Sequence, residues 1–389
     1  MSETESLAPG AWSPLTTALA GTAALAVAMG VGRFAFTPVL PMMLQDAGLT
    51  LAQGGWLASA NYLGYLLGAM SAMALRMPAE RVIRGGLVAI AALTLAMALR
   101  LPFSAWMLLR LLAGVASAWV LISVSGWSLE VLARHRRPGL GSMVFAGVGA
   151  GIAAAGLLCI ALLAVHARSW HAWSMLGVLS ALATAFVWPV FRARAQATAV
   201  NGGARVAGRW DARSLRLVFC YGAYGFGYII PATFLPVMAK KALHGSALFG
   251  WSWPLFGLAA MLSMPVAARL GARFGYRRVW IGCQGVMAVG VLLPAVWSNL
   301  AAVVGAALCV GGTFVVITLA GVQEARRVAG SRANALIAAM TAAFALGQVA
   351  GPLAVTLTSG GFSAALLFAA AVLAASLVLL KDDAPGRGG

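Results

Sequence analysis

The sequence predicts an all-α membrane protein of twelve transmembrane helices, arranged as two pseudo-symmetric six-helix halves. Three observations carry that expectation. Of 389 residues, 62% are apolar and 9% charged, where a soluble globular chain carries about 25% charged residues. Apolar runs recur twelve times between Arg clusters, Pro and Gly, and short motifs of the first half return 195 residues later in the second.

A spanning helix needs about 20 mostly apolar residues. In chain order the cores are 15–43, 54–75, 82–101, 104–131, 140–165 and 170–191, then 215–238, 247–269, 278–297, 300–321, 333–357 and 361–380. The 46 glycines fit this class, because Gly is more frequent in transmembrane helices than in soluble ones. The opening MSETESLAPGAWSP has two acids and no Lys or Arg, so the basic region of a secretory signal peptide is missing and the first run is expected in the mature protein.

The net charge of +18 comes from 27 Lys+Arg against 9 Asp+Glu. In a soluble chain it would suggest a nucleic-acid partner; here the cations sit between apolar runs, and no nucleic acid is expected. If the N-terminus is cytoplasmic, the inside segments hold 21 Lys+Arg and the outside segments 4, namely Arg100, Arg168, Lys240 and Lys241. Basic residues favour the cytoplasmic face, so both termini are expected there. Arg33 and Arg110 fall inside spans.

The polar stretch 192–213 reads as a basic cytoplasmic linker. It divides the chain into an N-terminus (1–14), a first half (15–191), the linker, a second half (214–380) and a tail (381–389). Trp106, Trp170, Trp173, Trp188, Trp280 and Trp297 lie near span ends, where an indole is favoured at headgroup level. Cys159, Cys220, Cys283 and Cys309 lie in apolar runs without C-x-x-C spacing, so they read as small apolar side chains rather than metal or redox groups.

Gly30-x-Gly32 and Leu40-Pro41-x-Met43 return as Gly225-x-Gly227 and Leu235-Pro236-x-Met238, and Gly55-Trp56 returns as Gly250-Trp251. Duplicated six-span halves are what transporters use to build two bodies that rock around a midplane site.

The stretch from Gly30 to Gly68, GVGRFAFTPVLPMMLQDAGLTLAQGGWLASANYLGYLLG, resembles the opening signature of the YbfB/YjiJ-type transporters of the major facilitator superfamily. That resemblance spans essentially the whole chain and implies a multi-pass transporter of the bacterial inner membrane, monomeric, without a cofactor. Leu270 to Arg278 resembles the superfamily's gating loop, with Arg273 and Arg277 at its basic positions and Ala272 where Asp is usual. The first-half counterpart, Arg76 to Arg81, is more degenerate. Arg110-x-x-x-Gly114 resembles an element linked to proton coupling. Gly147 to Gly151 and Gly347 to Pro352 resemble a Gly-rich antiporter pattern, although only the second keeps the Pro.

Arg33 is the sharpest single residue. A charge at helix centre costs about 2.5–3.5 kcal/mol on insertion scales, and Asp46 lies about 20 Å further along the helix at 1.5 Å per residue. The fork suits an anionic substrate; the competing reading is a structural bond to carbonyls of a broken helix. The repeat sets Tyr228 opposite Arg33, with Tyr221 and Tyr224 on the same face. Asn61 and Tyr65 share a face of the second span, beside Gly64-x-x-x-Gly68, and read equally as cavity lining or interhelical bonding. Candidate substrate contacts are therefore Arg33, Asn61, Tyr65, Tyr224 and Tyr228.

Candidate coupling and gating residues are Arg110, Glu130, Glu324, Arg273 and Arg277. For Arg110, snorkelling to the headgroups competes with function. Glu130 and Glu324 are near-equivalents at the inner ends of spans four and ten, expected to pair with Arg134 and Arg327. A proton relay usually needs an intramembrane carboxylate or His, and none falls near midplane. Coupling would use Glu130 with Arg110, rest on substrate charge, or be absent.

These features predict a secondary active transporter of a small organic solute by alternating access, with an anionic solute and proton linkage as expectations and efflux preferred. The alternatives are an uptake or facilitative carrier, or a non-transporting sensor or channel. A membrane enzyme is disfavoured, since no H-E-x-x-H, G-x-S-x-G or P-loop is present; no catalytic residue and no metal ligand is expected.

Overall fold

The computed structural model describes residues 12–72, 77–192, 211–242, 247–357 and 361–381. Most of the linker, Arg76 of the first-half loop and most of the tail lie outside these residues. The described chain forms twelve helical rods. They are α1 (Pro14–Asp46), α2 (Leu51–Ala72), α3 (Ala79–Ala96), α4 (Phe103–Arg134), α5 (Gly141–Ala164) and α6 (Ser169–Val187). After the linker come α7 (Ala212–Ala242), α8 (Ser252–Phe274), α9 (Tyr276–Val296), α10 (Leu300–Ala329), α11 (Ala333–Leu357) and α12 (Gly361–Lys381). Ten of them are long and apolar enough to cross a bilayer. The other two carry more polar groups: Gln53, Ser59, Asn61, Tyr62 and Tyr65 on α2, and Glu80, Arg81 and Arg84 at the start of α3.

Lipid offers no hydrophobic drive between helices, so close approach of small residues holds such a bundle. A Cβ on Gly64 of α2 would lie 1.9 Å from the Leu111 carbonyl oxygen of α4, and one on Gly114 of α4 would lie 2.0 Å from that of Asn61. A similar contact recurs in the second half, where Gly311 of α10, 197 residues after Gly114, packs on the Phe256 carbonyl of α8, 195 residues after Asn61.

Pairings recur with a shift of six helices: α1 with α5, α2 with α4 and α3 with α6 correspond to α7 with α11, α8 with α10 and α9 with α12. The two sets meet where α2 packs on α11, α5 on α8 and α1 on α7. The α5–α8 crossing is backbone on backbone, with Gly149 against Gly257.

Within α1, residues Ala26–Phe34 wind as a π-helix between two α-helical segments, Pro14–Leu25 and Phe36–Asp46. Pro41 offers no N–H to the turn before it. Its second-half counterpart has a visible consequence. Pro236 of α7 cannot donate to the Ala232 carbonyl four residues back, and that oxygen accepts instead from the Thr37 hydroxyl at 2.7 Å. Thr37 and Ala232 are repeat equivalents, 195 positions apart. At the start of α7, Asp211 accepts from the Ser214 amide at 3.0 Å, and Ser214 holds its carboxyl below the usual carboxylate range.

The tryptophan belt needs correction. Trp170 and Trp297 are exposed, but Trp173 and Trp280 are buried inside the bundle. The Trp280 indole donates to Gln284 at 2.7 Å, and that of Trp173 faces the Met43 sulfur at 3.4 Å. A buried indole needs only one polar partner to satisfy it, and nearness to a span end does not separate that case from a headgroup contact.

Candidate functional site

The π-helical segment of α1 presents Arg33 to the seam between the two helix sets, where it is 2% exposed. Its Nη2 donates to the Gln348 Oε1 of α11, and the Gln348 Nε2 donates to the Tyr228 hydroxyl of α7. The guanidinium carbon sits 3.9 Å from the Tyr65 ring centroid and 5.3 Å from those of Phe34 and Tyr62. A desolvated cation over an aromatic face gains about 2 kcal/mol, which offsets part of the cost of burying this charge. The Arg33 Nε has no hydrogen-bond partner.

Arg110 stands beside it, also 2% exposed, and turns inward rather than toward headgroups. Its Nη1 and Nη2 donate to the Gly32 and Arg33 carbonyls at 3.5 and 3.1 Å. The Asn61 amide donates to the Gly32 carbonyl at 3.2 Å and to the Arg110 carbonyl at 2.9 Å. Arg110 and Asn61 therefore bond to backbone and fix the wide turn that carries Arg33. Among the described residues neither Arg33 nor Arg110 has an ion-pair partner.

On the opposite wall an aromatic column rises from α7. Tyr228 stacks between Phe314 of α10 and Phe344 of α11, at 5.5 and 5.6 Å. Tyr224 stacks on Tyr228 at 5.2 Å and donates to the Phe314 carbonyl at 2.6 Å. Of the candidate substrate contacts, then, Arg33, Tyr65, Tyr224 and Tyr228 gather at one place, while Asn61 lies behind Arg33 on its backbone side.

The other coupling and gating candidates, Glu130, Glu324, Arg273 and Arg277, lie at the Arg-rich end of the bundle, here called the basic end. Glu324 of α10 is 1% exposed and accepts from Arg327 at 2.7 Å and Arg277 at 3.3 Å. Arg277 also donates to the Leu380 carbonyl of α12 at 3.1 Å from Nε. Glu130 pairs with Arg134 at 2.5 Å on an exposed helix end. Arg273 is exposed, with its guanidinium 5.2 Å from the Phe274 ring. None of these groups reaches the Arg33 cluster. Glu130 and Arg110 are 20 residues apart on one helix, about 30 Å at 1.5 Å per residue.

Sequence reasoning missed Gln348, Tyr62, Phe314 and Phe344. Gln348 left a signal, as the one amide inside an otherwise apolar run from Ala335 to Leu357. The two phenylalanines left none, because an aromatic in an apolar span reads as lipid-facing or core alike. The glycines Gly147 and Gly151 are crossing contacts against α1.

Hydrogen bonds join the two helix sets at Arg33–Gln348, Thr37–Ala232, Ser59–Val349 and Tyr62–Thr233. All lie at the level of Arg33 or beyond it, toward the end opposite the basic one.

Comparison with known proteins agrees with this fold. A crystal structure of the nucleoside transporter NupG, in a mutant form, superposes with a TM-score of 0.69 at 14% identity, covering 94% of this chain and 99% of that one; at that identity the likeness is one of fold. No curated protein matches the sequence. The family described as uncharacterised MFS-type transporter YbfB matches residues 25–381. The chain belongs to that family of multi-pass membrane transporters.

Proposed function

We propose that the chain is a secondary active transporter whose solute site is the Arg33 cluster, and that the solute is a small organic anion. The observation that carries this is a buried guanidinium held by an amide and three aromatic rings, with no carboxylate partner among the described residues and with Nε unused. Such a cation is stabilised enough to fold and is left free to take an anion. The aromatic column on α7 supplies the apolar wall that an organic anion needs.

The twelve rods are read as twelve spans in two halves, residues 15–191 and 214–380, with 192–213 as linker. The six-helix shift in pairing and the meeting of repeat equivalents at Thr37 and Ala232 support this, since equivalent residues touch beside a two-fold axis. Both termini are read as cytoplasmic from the 21 to 4 distribution of Lys+Arg. The basic end is then the inner end, and the seam contacts support an arrangement closed toward the outside.

Proton linkage is read through the solute's own charge, because Glu130 and Glu324 are paired with arginines at the basic end and stand apart from Arg33. With Gly147 and Gly151 packing α1 on α5, the preference for efflux rests on the family resemblance alone.

Alternating access requires the outer seam to open. Cross-linking a Thr37→Cys, Ala232→Cys pair should stop solute movement in proteoliposomes, and reduction should restore it. Transport that continues through the cross-link would contradict the reading.

A further inference from the structure

A cavity of about 530 Å³ opens at the end of the bundle opposite the basic one. It lies across the seam, between α1 and α5 on one side and α7 and the turn before α8 on the other. Met42, Ile160, Leu163 and Phe249 give it apolar walls, and Arg168, Lys240 and His166 border it. The Lys240 ammonium sits 5.8 Å from the Phe249 ring centroid.

The charge in this cavity is unbalanced. Its one carboxylate, Asp46, is consumed locally: Oδ2 accepts from the Ser169 amide at 2.5 Å and Oδ1 from the Ser169 hydroxyl at 2.6 Å, which caps the start of α6. Arg168 and Lys240 have no ion pair among the described residues. His166 is held at φ 54°, a left-handed conformation uncommon outside glycine. Only four of the 27 Lys+Arg fall at this end of the predicted spans, and two of those four border one cavity.

We propose that this cavity is a second anion site, separate from Arg33, which takes a small amphipathic carboxylate with its head toward Lys240 and Arg168 and its apolar body against Phe249 and Leu163. Its walls come from both helix sets, so the site exists only while this end of the seam is closed. A ligand that prefers one arrangement shifts the population toward it, and an occupant here slows transport from outside the solute path. An anionic head on an apolar body is presented equally by a soluble aromatic acid and by an anionic lipid.

The test is a calorimetric titration of phenylacetate into the full chain in phosphatidylcholine nanodiscs, run on wild type and on Arg33→Gln. Phenylacetamide, the same shape without charge, is the control. Saturable phenylacetate binding should persist in Arg33→Gln. Lys240→Gln or Arg168→Gln should weaken it about tenfold, the loss of one charge-assisted hydrogen bond. In the Arg33→Gln background Leu163→Trp, which fills the cavity and leaves both cations in place, should abolish it. A weaker phenylacetate signal in discs containing phosphatidylglycerol assigns the natural occupant to lipid; an unchanged one assigns it to a soluble acid. Three outcomes overturn the site: equal binding of phenylacetamide, binding unmoved by the Lys240, Arg168 and Leu163 variants, or binding lost with Arg33→Gln alone. The last would place the anion at the central cluster.

Discussion

Arg33 of α1 donates to Gln348 of α11 across 315 residues of sequence, and that bond joins the two helix sets at their buried centre. The guanidinium meets a neutral amide where a carboxylate would be the stronger partner. A neutral partner holds the cation in place and can be exchanged for an anion at small cost, whereas a carboxylate would compete with it.

Replacing the amide by a carboxylate tests that logic. Gln348→Glu should raise the apparent melting temperature in detergent, because it gives a buried cation the ion pair it lacks. The same variant should lower solute transport at least about tenfold, the equivalent of 1.4 kcal/mol of added competition. A variant that transports normally would mean the solute does not displace Gln348.

Arg110 is expected to act on α1 rather than on protons. Arg110→Ala leaves the Arg33 carbonyl without its side-chain donor and the Gly32 carbonyl with Asn61 alone, at about 1–3 kcal/mol for an unsatisfied buried group, and Arg110→Lys recovers part of that. Thermal unfolding in detergent should rank wild type above Lys above Ala, with transport following the same order. A fully stable Arg110→Ala that loses only its pH response would instead place Arg110 in coupling.

Two glycines separate packing from composition. Gly64→Ala drives a methyl into the Leu111 backbone and should abolish recovery of folded, monodisperse protein. Gly85 is exposed and a methyl there meets nothing within 4 Å, so Gly85→Ala should be neutral or gain up to about 1 kcal/mol. Size-exclusion profiles and melting curves of the pair decide it; equal behaviour would contradict the α2–α4 crossing.

Burial distinguishes the two glutamates at the basic end. Glu324→Gln takes the carboxylate from Arg277, which is only 13% exposed, and should cost about 1–3 kcal/mol. Glu130→Gln removes a pair with side chains 46% and 51% exposed and should cost no more than about 1 kcal/mol. Melting temperatures measured side by side check the ranking.

The rods were legible because hydropathy and Arg placement act locally, one span at a time. Arg33 was legible for the same reason, as a charge that its own helix cannot satisfy. Its partner was not, because Gln348 is an inconspicuous residue brought near only by the packing of α11 on α2 and α7. The repeat anticipated Tyr228 near Arg33 and left the bridging amide unseen. Arg110 shows a different limit: the sequence shows its depth in the span, but not that a wide turn in α1 would offer it two carbonyls.

Solute binding at Arg33 is tested by proton flux in proteoliposomes with a trapped pH dye. Wild type and Arg33→Gln would be challenged with organic acids, amino acids and hydrophobic cations. Acids should give a signal in wild type that is lost in Arg33→Gln. A signal with cations alone, or an acid signal unchanged in Arg33→Gln, would contradict that binding and leave Arg33 as a structural tie between the two helix sets.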